Sequence, residues 1–326
     1  MIITRTPLRI SIGGGGTDLP SYYERRGGFF ISAAIDRYVY IAINDTFTDG
    51  YVIKYSALER ADDVDGIAHP LVREALRLHP IGDAKEIVSI ADIPAGTGLG
   101  SSGAFTVGLL RALHAHRREH VSATELAEEA CHIEIDVLGE PVGKQDQYIA
   151  AFGGLSRFEV APDGTVDATT LGVTTDTLRD LEEHLLLFFT GYSRRAGEVL
   201  ADQKQRSIEG DDAMLGRLAE TEAIGRRIGD ALEQGETETY GALMHEHWLA
   251  KRERSPHMSN SDIDCWYQLG MDNGAIGGKL VGAGAGGFLL FYAKDVRRLR
   301  EAMGGAGLTE VRFAIDHDGS TVTTRG

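Results

Sequence analysis

The sequence predicts a fold that mixes helices and strands, of α/β or α+β class. Two observations carry this. Apolar residues recur at helical spacing in some segments and form short strand-like runs in others, and the two kinds interleave along the 326 residues. Three glycine-rich segments, near the start, the middle and the end, sit at junctions between them. The length suits one large domain or two moderate ones.

Ile2–Thr6 and Leu8–Ile12 read as short strands around Pro7. Phe29–Ile35 and Tyr38–Ile43 read as a strand pair, followed by Tyr51–Tyr55. Residues 68–79 and 101–118 carry helical spacing, and Ile87–Ala91 is a strand between them. Residues 122–137 read as a helix opened by a capping box of Ser122 and Glu125. Asp146–Phe152 is a short helix stopped by Gly153-Gly154, and Leu155–Val160 is a strand. The polar stretch Ala161–Thr177 contains the turn signal Pro162-Asp163-Gly164 and is the expected domain boundary. Beyond it, Leu185–Thr190 reads as a buried strand, and helical patterns cover 194–208, 211–233, 236–249 and 260–272. Ala275–Val281 and Gly287–Tyr292 read as strands flanking the third glycine segment. Asp295–Met303 reads as a helix and Val311–Ile315 as the last strand.

The middle glycine segment is the most informative. Pro94-Ala-Gly96-Thr97-Gly98-Leu99-Gly100-Ser101-Ser102 places glycines at alternate positions and two hydroxyls at a helix start. Glycine lets backbone approach a ligand and adopt positive φ. A helix start adds unpaired N–H groups and partial positive charge, which suit phosphate. No Gly-x-x-x-x-Gly-Lys-Ser/Thr loop occurs. Gly282-x-Gly284-x-x-Gly287 matches the dinucleotide pattern, but a strand-like run, Phe288–Tyr292, follows where a helix is required.

With Pro7-Leu8-Arg9-Ile10-Ser11 running into Gly13-Gly14-Gly15-Gly16-Thr17-Asp18, with Gly143-Lys144-Gln145-Asp146-Gln147, and with Gly282–Gly287, the chain resembles the GHMP kinase superfamily over nearly its whole length. Within that superfamily it is most similar to the branch acting on D-glycero-D-manno-heptose 7-phosphate. The resemblance implies an α+β fold of two domains, residues 1–170 with the ATP-phosphate loop and residues 171–326, with the active site in the cleft between them. It implies ATP and Mg²⁺, and an ATP-phosphate loop made of Pro94, Gly96, Thr97, Gly98, Leu99, Gly100, Ser101 and Ser102. Ser102 matches the Mg²⁺ hydroxyl and Glu134 the Mg²⁺ carboxylate, with Asp136 the competing choice.

Phosphoryl transfer to a hydroxyl needs a phosphate cradle, charge neutralisation and usually a carboxylate near the attacking oxygen. The resemblance gives the last role, as base or orienter, to Asp146. It adds Lys144 as a phosphate or Asp146 partner, and Arg9 as an orienting cation. Gly15, Gly16, Thr17, Asp18 and Gly284 are expected at the substrate. The four-glycine form of the first segment departs from the Gly-Glu-His-x-Asp of galactokinases. A sugar phosphate needs a second cationic pocket, for which paired cations are candidates: Arg194 with Arg195, then Arg25 with Arg26, and Lys251 with Arg252. Another GHMP small-molecule kinase, of fucose, galactose or mevalonate type, and a catalytically silent sugar-binding relative stay open.

Composition bounds the partners. Lys and Arg total 33 against 49 Asp and Glu, a formal charge of −16, which argues against a nucleic-acid surface. No run approaches the roughly 20 apolar residues of a membrane span, and the amino terminus lacks a signal-peptide pattern. Cys131 and Cys265 read as reduced core thiols, so a cytoplasmic protein is expected. The eleven histidines form no metal-spaced pair, and His245 and His247 read as surface residues. The expected partner is a small-molecule sugar phosphate, and a homodimer is left open.

Overall fold

The computed structural model describes residues 1–191, 211–255, 258–282, 284 and 286–325. Two sheets organise them. The first runs in the order β12 (Thr321–Arg325), β1 (Ile2–Gly14), β2 (Gly28–Asp45), β5 (Lys85–Ala91), β3 (Tyr51–Lys54), β4 (Leu58–Ala61). β6 (Leu155–Val160) pairs with the first part of β2, and β7 (Val166–Thr170) pairs with β6. The second sheet has the order β11 (Thr309–Val311), β8 (Leu185–Phe189), β10 (Phe288–Ala293), β9 (Ala275–Leu280).

The sequence reading divides two elements that the structure keeps whole. Pro7 does not end β1. It pairs with Tyr38, and the register then steps so that Leu8 opposes Ile35. Asp36 and Arg37 form the surplus on β2, so a bulge absorbs the missing proline N–H while both strands continue. The expected helix over 122–137 is α4 (Ala123–Cys131), opened by the Ser122–Glu125 capping box, then a π-helical segment, His132–Val137. The stretch read as a polar boundary carries β7 and the start of α6 (Thr175–His184). The last strand is not Val311–Ile315. β11 ends at Val311, and β12 returns to pair with β1. The expected helix over 194–208 lies outside the described residues. The strand after Gly287 is present, which removes the dinucleotide reading.

The remaining helices are α1 (Pro20–Arg26), α2 (Pro70–Leu78), α3 (Ser101–Arg117), α5 (Gln145–Phe152), α7 (Asp212–Glu233), α8 (Thr237–Arg252), α9 (Ser261–Asp272) and α10 (Val296–Gly305). Most are set by local chemistry: Pro at the start of α1 and α2, and side-chain caps by Asp211 and Asn260. α3 and α7 both pack on β1 and β2. α8 packs closely on β9, where a Cβ at Gly277 would strike the carbonyl of Gly241. One core runs from Ile10, Ile12 and Phe30 to Tyr240, Met244 and Phe288, so the halves share buried apolar surface. A second cluster around Trp248, Ile263 and Phe291 sits under the second sheet. Cys131 is buried as expected, but Cys265 is exposed rather than a core thiol. No helix among the described residues is long and apolar enough to cross a membrane.

Candidate active site

The segment between β5 and α3 forms the middle loop. Gly96, Gly98 and Gly100 all have positive φ, at 77°, 88° and 74°. Gly98 shows why one of them must be glycine: a Cβ there would lie 2.8 Å from the Val281 carbonyl oxygen. The middle and third glycine segments are therefore in backbone contact. Thr97 ties the loop back through its hydroxyl to Pro94 O at 2.9 Å, and Pro94 and Gly96 lie exposed at the lip. Leu99 is buried, and its carbonyl accepts from Arg9 N at 3.0 Å. Ser101 and Ser102 open α3 with their amides unclaimed by a side-chain cap.

Ser102 Oγ donates to Glu134 Oε2 at 2.8 Å, and Gln147 Nε2 donates to Oε1 at 3.1 Å. Burial pushes the Glu134 carboxyl up to about 7, against the lowering effect of these hydrogen bonds. Asp136, the competing choice, is exposed and pairs with His132 instead. The π-helical segment aims Glu134 at the loop; such segments recur at functional sites.

Arg9 and Asp146 meet beside this loop. Arg9 Nε and Nη2 donate to Asp146 Oδ1 at 2.8 and 2.7 Å, and Nη1 donates to Gly98 O. Gly103 on α3 leaves room for Asp146, since a Cβ there would come within 2.7 Å of the Asp146 Cβ. Asp146 opens onto a cavity that it shares with Arg9, Ser11, Gly14, Gly15, Gly16 and Asp18. The Asp18 carboxylate is clamped by Gly16 N at 2.8 Å and Gln145 N at 3.1 Å. Gly143 is needed next to it, because any Cβ would collide with Asp18 Oδ2. Burial raises the Asp18 carboxyl above the usual range, with backbone hydrogen bonds opposing.

The far wall of the cavity is cationic. It comprises Lys251 on α8, Arg254 just beyond it and Lys279 on β9, with His247, Met258, Leu280 and Gly282. Lys279 Nζ donates to Ile12 O at 2.9 Å, Arg254 Nη2 to Gly15 O at 3.2 Å, and Lys251 Nζ to Leu280 O at 3.1 Å. Burial, then mutual repulsion, pushes Lys279 down to about 7 and Lys251 well below its ordinary value; burial brings Arg254 to about 10. His247 is buried, not a surface residue, and its Nε2 lies 3.0 Å from Gly14 O.

The expected site residues thus divide. Arg9, Asp146, the loop from Gly96 to Ser102, Glu134, Gly15, Gly16 and Asp18 come together. Lys144 does not reach Asp146. Its ammonium is held by Glu128 at 2.8 Å and Gly164 O at 2.7 Å, toward a separate outer cavity. Residues two apart at the start of a helix point in different directions, which separates Lys144 from Asp146. Thr17 is fully buried and exchanges hydrogen bonds with Phe29, holding the loop to β2 rather than facing the cavity. Arg25 is exposed at the end of α1, outside the cavity lining, and Gly284 lies against Met258. Arg194 and Arg195 lie outside the described residues. Arg252 pairs with Asp264 at 2.7 Å, away from the cavity, whereas Lys251 faces it. Sequence reasoning missed Lys279 and Arg254. A lysine within the apolar run of β9 is a readable signal; nothing local marks Arg254.

A glycine-lined loop at a helix start, a hydroxyl–carboxylate pair and an arginine-bound aspartate around one cavity are an arrangement that phosphoryl transfer can use. Residues 66–154 match the GHMP kinases N terminal domain, and the chain is a kinase similar over most of its length to sugar kinases. It is 28% identical over 313 residues to D-glycero-alpha-D-manno-heptose 7-phosphate kinase of Campylobacter jejuni, covering 91% of each chain. It is 27% identical to a galactokinase of Thermococcus kodakarensis, covering 86% of each. The fold superposes on a D-glycero-D-manno-heptose 1-phosphate kinase from Bacteroides thetaiotaomicron with TM-score 0.76 and 25% identity, covering 100% of both chains.

Proposed function

We propose that the protein transfers the γ-phosphoryl group of ATP to the anomeric hydroxyl of D-glycero-D-manno-heptose 7-phosphate, giving the 1,7-bisphosphate. The observation that carries this is the composition of one cavity. Asp146 and Asp18 lie on one side, and Lys251, Arg254 and Lys279 are buried on the other. In a chain of formal charge −16, Lys251 and Lys279 are buried at this cavity with only carbonyl oxygens as hydrogen-bond partners among the described residues, and such cations ask for an anion. A sugar bearing a distal phosphate supplies it, and free galactose does not. The heptose 7-phosphate kinase of Campylobacter jejuni, similar across nearly the whole chain, supports the same substrate class.

In this reading residues 1–170 and 171–326 form two domains, with the substrate between them. The amides and glycines of 96–102 cradle the ATP phosphates. Ser102 and Glu134 are both hard oxygen donors and already adjacent, a set that fits Mg²⁺. Mg²⁺ bound there neutralises charge on the nucleotide phosphates. Asp146 Oδ2, with no partner among the described residues, faces the sugar hydroxyl and takes or orients its proton as the oxygen attacks phosphorus and ADP leaves. Arg9 fixes that carboxylate. Asp18 binds sugar hydroxyls. The product is a precursor for nucleotide-activated heptose of surface polysaccharide, made in the cytoplasm.

The experiment is a substrate panel with purified protein, Mg²⁺ and ATP, scoring ADP release. Heptose 7-phosphate should exceed free heptose, galactose, fucose and mevalonate in kcat/KM. Equal turnover of free and phosphorylated heptose would sink the assignment of substrate, and no ADP release with any acceptor would sink the kinase role.

A further inference from the structure

On another side of the first half, three helices converge on two histidines. His79 caps the carboxyl end of α2, His114 lies in the last turn of α3, and Glu129 lies on α4. Arg118 takes a left-handed conformation (φ 60°) just after α3, and the chain doubles back so that Glu119 N donates to His114 O at 2.9 Å. Glu119 is thereby set beside the His114 ring. Both imidazoles are buried and their centroids are 4.3 Å apart.

One carboxylate oxygen serves both rings. Glu129 Oε2 lies 3.0 Å from His79 Nε2 and 2.8 Å from His114 Nε2. An ionised carboxylate only accepts, so each Nε2 donates, and in a neutral imidazole the other nitrogen then carries a lone pair. His114 Nδ1 is buried without a hydrogen bond, yet it faces Glu119 Oε2 at 3.3 Å. A lone pair aimed near an anionic oxygen needs either a proton or a metal cation between them. Two ligands bonded to zinc at about 2.0–2.1 Å in a tetrahedron are about 3.3 Å apart. The observed separation is that edge, and its geometry is not that of a donor and acceptor in line. A ring nitrogen of His79 completes the set: one ligand atom each from His79, His114 and Glu119 lie within 4.8 Å of one another. Histidine ligands whose second nitrogen donates to a carboxylate are the usual support of such a centre. Glu119 is partly exposed and gives an entry path.

We propose that His79, His114 and Glu119, with Glu129 orienting both imidazoles, form a structural binding site for a divalent transition metal of the zinc class. The site is separate from the nucleotide centre. It joins the ends of α2, α3 and α4, and so braces the helix whose other end carries Ser101 and Ser102. The imidazole–carboxylate set selects zinc or cobalt over magnesium.

The test uses the untagged, chelator-stripped protein with millimolar Mg²⁺ and ADP present to occupy the nucleotide centre. A Cys265→Ser background removes the exposed thiol. Co²⁺ titration should give one equivalent with the intense visible bands of tetrahedral cobalt, displaced by Zn²⁺. Zn²⁺ should raise Tm in a concentration-dependent way, as ligand linkage requires. His79→Gln and His114→Gln should abolish the bands. Glu119→Ala, at a partly exposed position that leaves the fold intact by circular dichroism, should weaken Co²⁺ binding by more than about 10-fold, since losing even an outer-shell partner costs about 10–100-fold. Absence of stoichiometric cobalt binding overturns the site, and so do bands that persist in His114→Gln or an affinity unchanged in Glu119→Ala. A protonated His114 held between the carboxylates, with no metal uptake, would be the structure's explanation in that case.

Discussion

Arg9 and Asp146, 137 residues apart, are joined by two guanidinium nitrogens on a single carboxylate oxygen, at 2.8 and 2.7 Å. Asp146 lines the cavity. A charge-assisted pair of this kind fixes direction as well as position. Asp146→Asn should keep the fold and the nucleotide affinity while lowering kcat by roughly 10²–10⁴, the range for loss of a general base. Stopped-flow or steady-state ADP release checks the first quantity, and nucleotide titration the second. Wild-type kcat in Asp146→Asn would assign the residue to structure alone.

Ser102 and Glu134 should act as one unit on Mg²⁺. Ser102→Ala is expected to raise the Mg²⁺ concentration needed for half-maximal turnover without unfolding the chain. Because the Glu134 carboxyl titrates at about 7, Mg²⁺ affinity should weaken as pH falls below that value. The folded group holds its proton more tightly than the unfolded one, so folding without Mg²⁺ loses stability as pH rises from about 4.5 to 7. Glu134→Gln should remove that slope from Tm against pH.

Lys279 is a second titration with the opposite behaviour. Its ammonium is brought down to about 7 from 10.5, so the folded state sheds the proton before the unfolded state does. Lys279→Met should therefore stabilise the ligand-free protein at pH 7. That gain should shrink as pH rises toward 10.5, above which neither state is charged. Activity should move the other way: kcat/KM for a phosphorylated sugar should fall by about 10²-fold, corresponding to one charge-assisted contact of up to about 3 kcal/mol. Differential scanning fluorimetry and a substrate titration read the two effects separately.

Gly98→Ala should weaken nucleotide binding. The new Cβ meets the Val281 carbonyl at 2.8 Å, and φ of 88° is strained for alanine. The loop must shift off the third glycine segment, at about 1–3 kcal/mol of local strain. Isothermal titration with ADP should show affinity reduced by at least tenfold with Tm little changed. Unchanged affinity would mean that the loop tolerates the shift.

The sequence by itself determined the interleaving of helices and strands, the capping box at Ser122 and the turn of the middle glycine loop into α3, because these depend on neighbours within a few positions. Spacing also told that Gly282–Gly287 is not a dinucleotide loop, since a strand pattern follows it. Only the tertiary structure decided that Pro7 sits inside one long strand, because the bulge that accommodates it belongs to β2. It also sent Glu134 and Asp136, two positions apart on a π-helical turn, in different directions, the first to Ser102 and the second to His132. Lys144 was drawn to Glu128 for the same reason: direction at a helix start is set by packing, not by closeness in sequence. The cationic wall is the clearest case. Lys251, Arg254 and Lys279 come from a helix, its end and a strand, and they meet only because Gly241 and Gly277 let that helix lie close on that strand. Charges so assembled have no local signature, since each is unremarkable until burial removes water from all three.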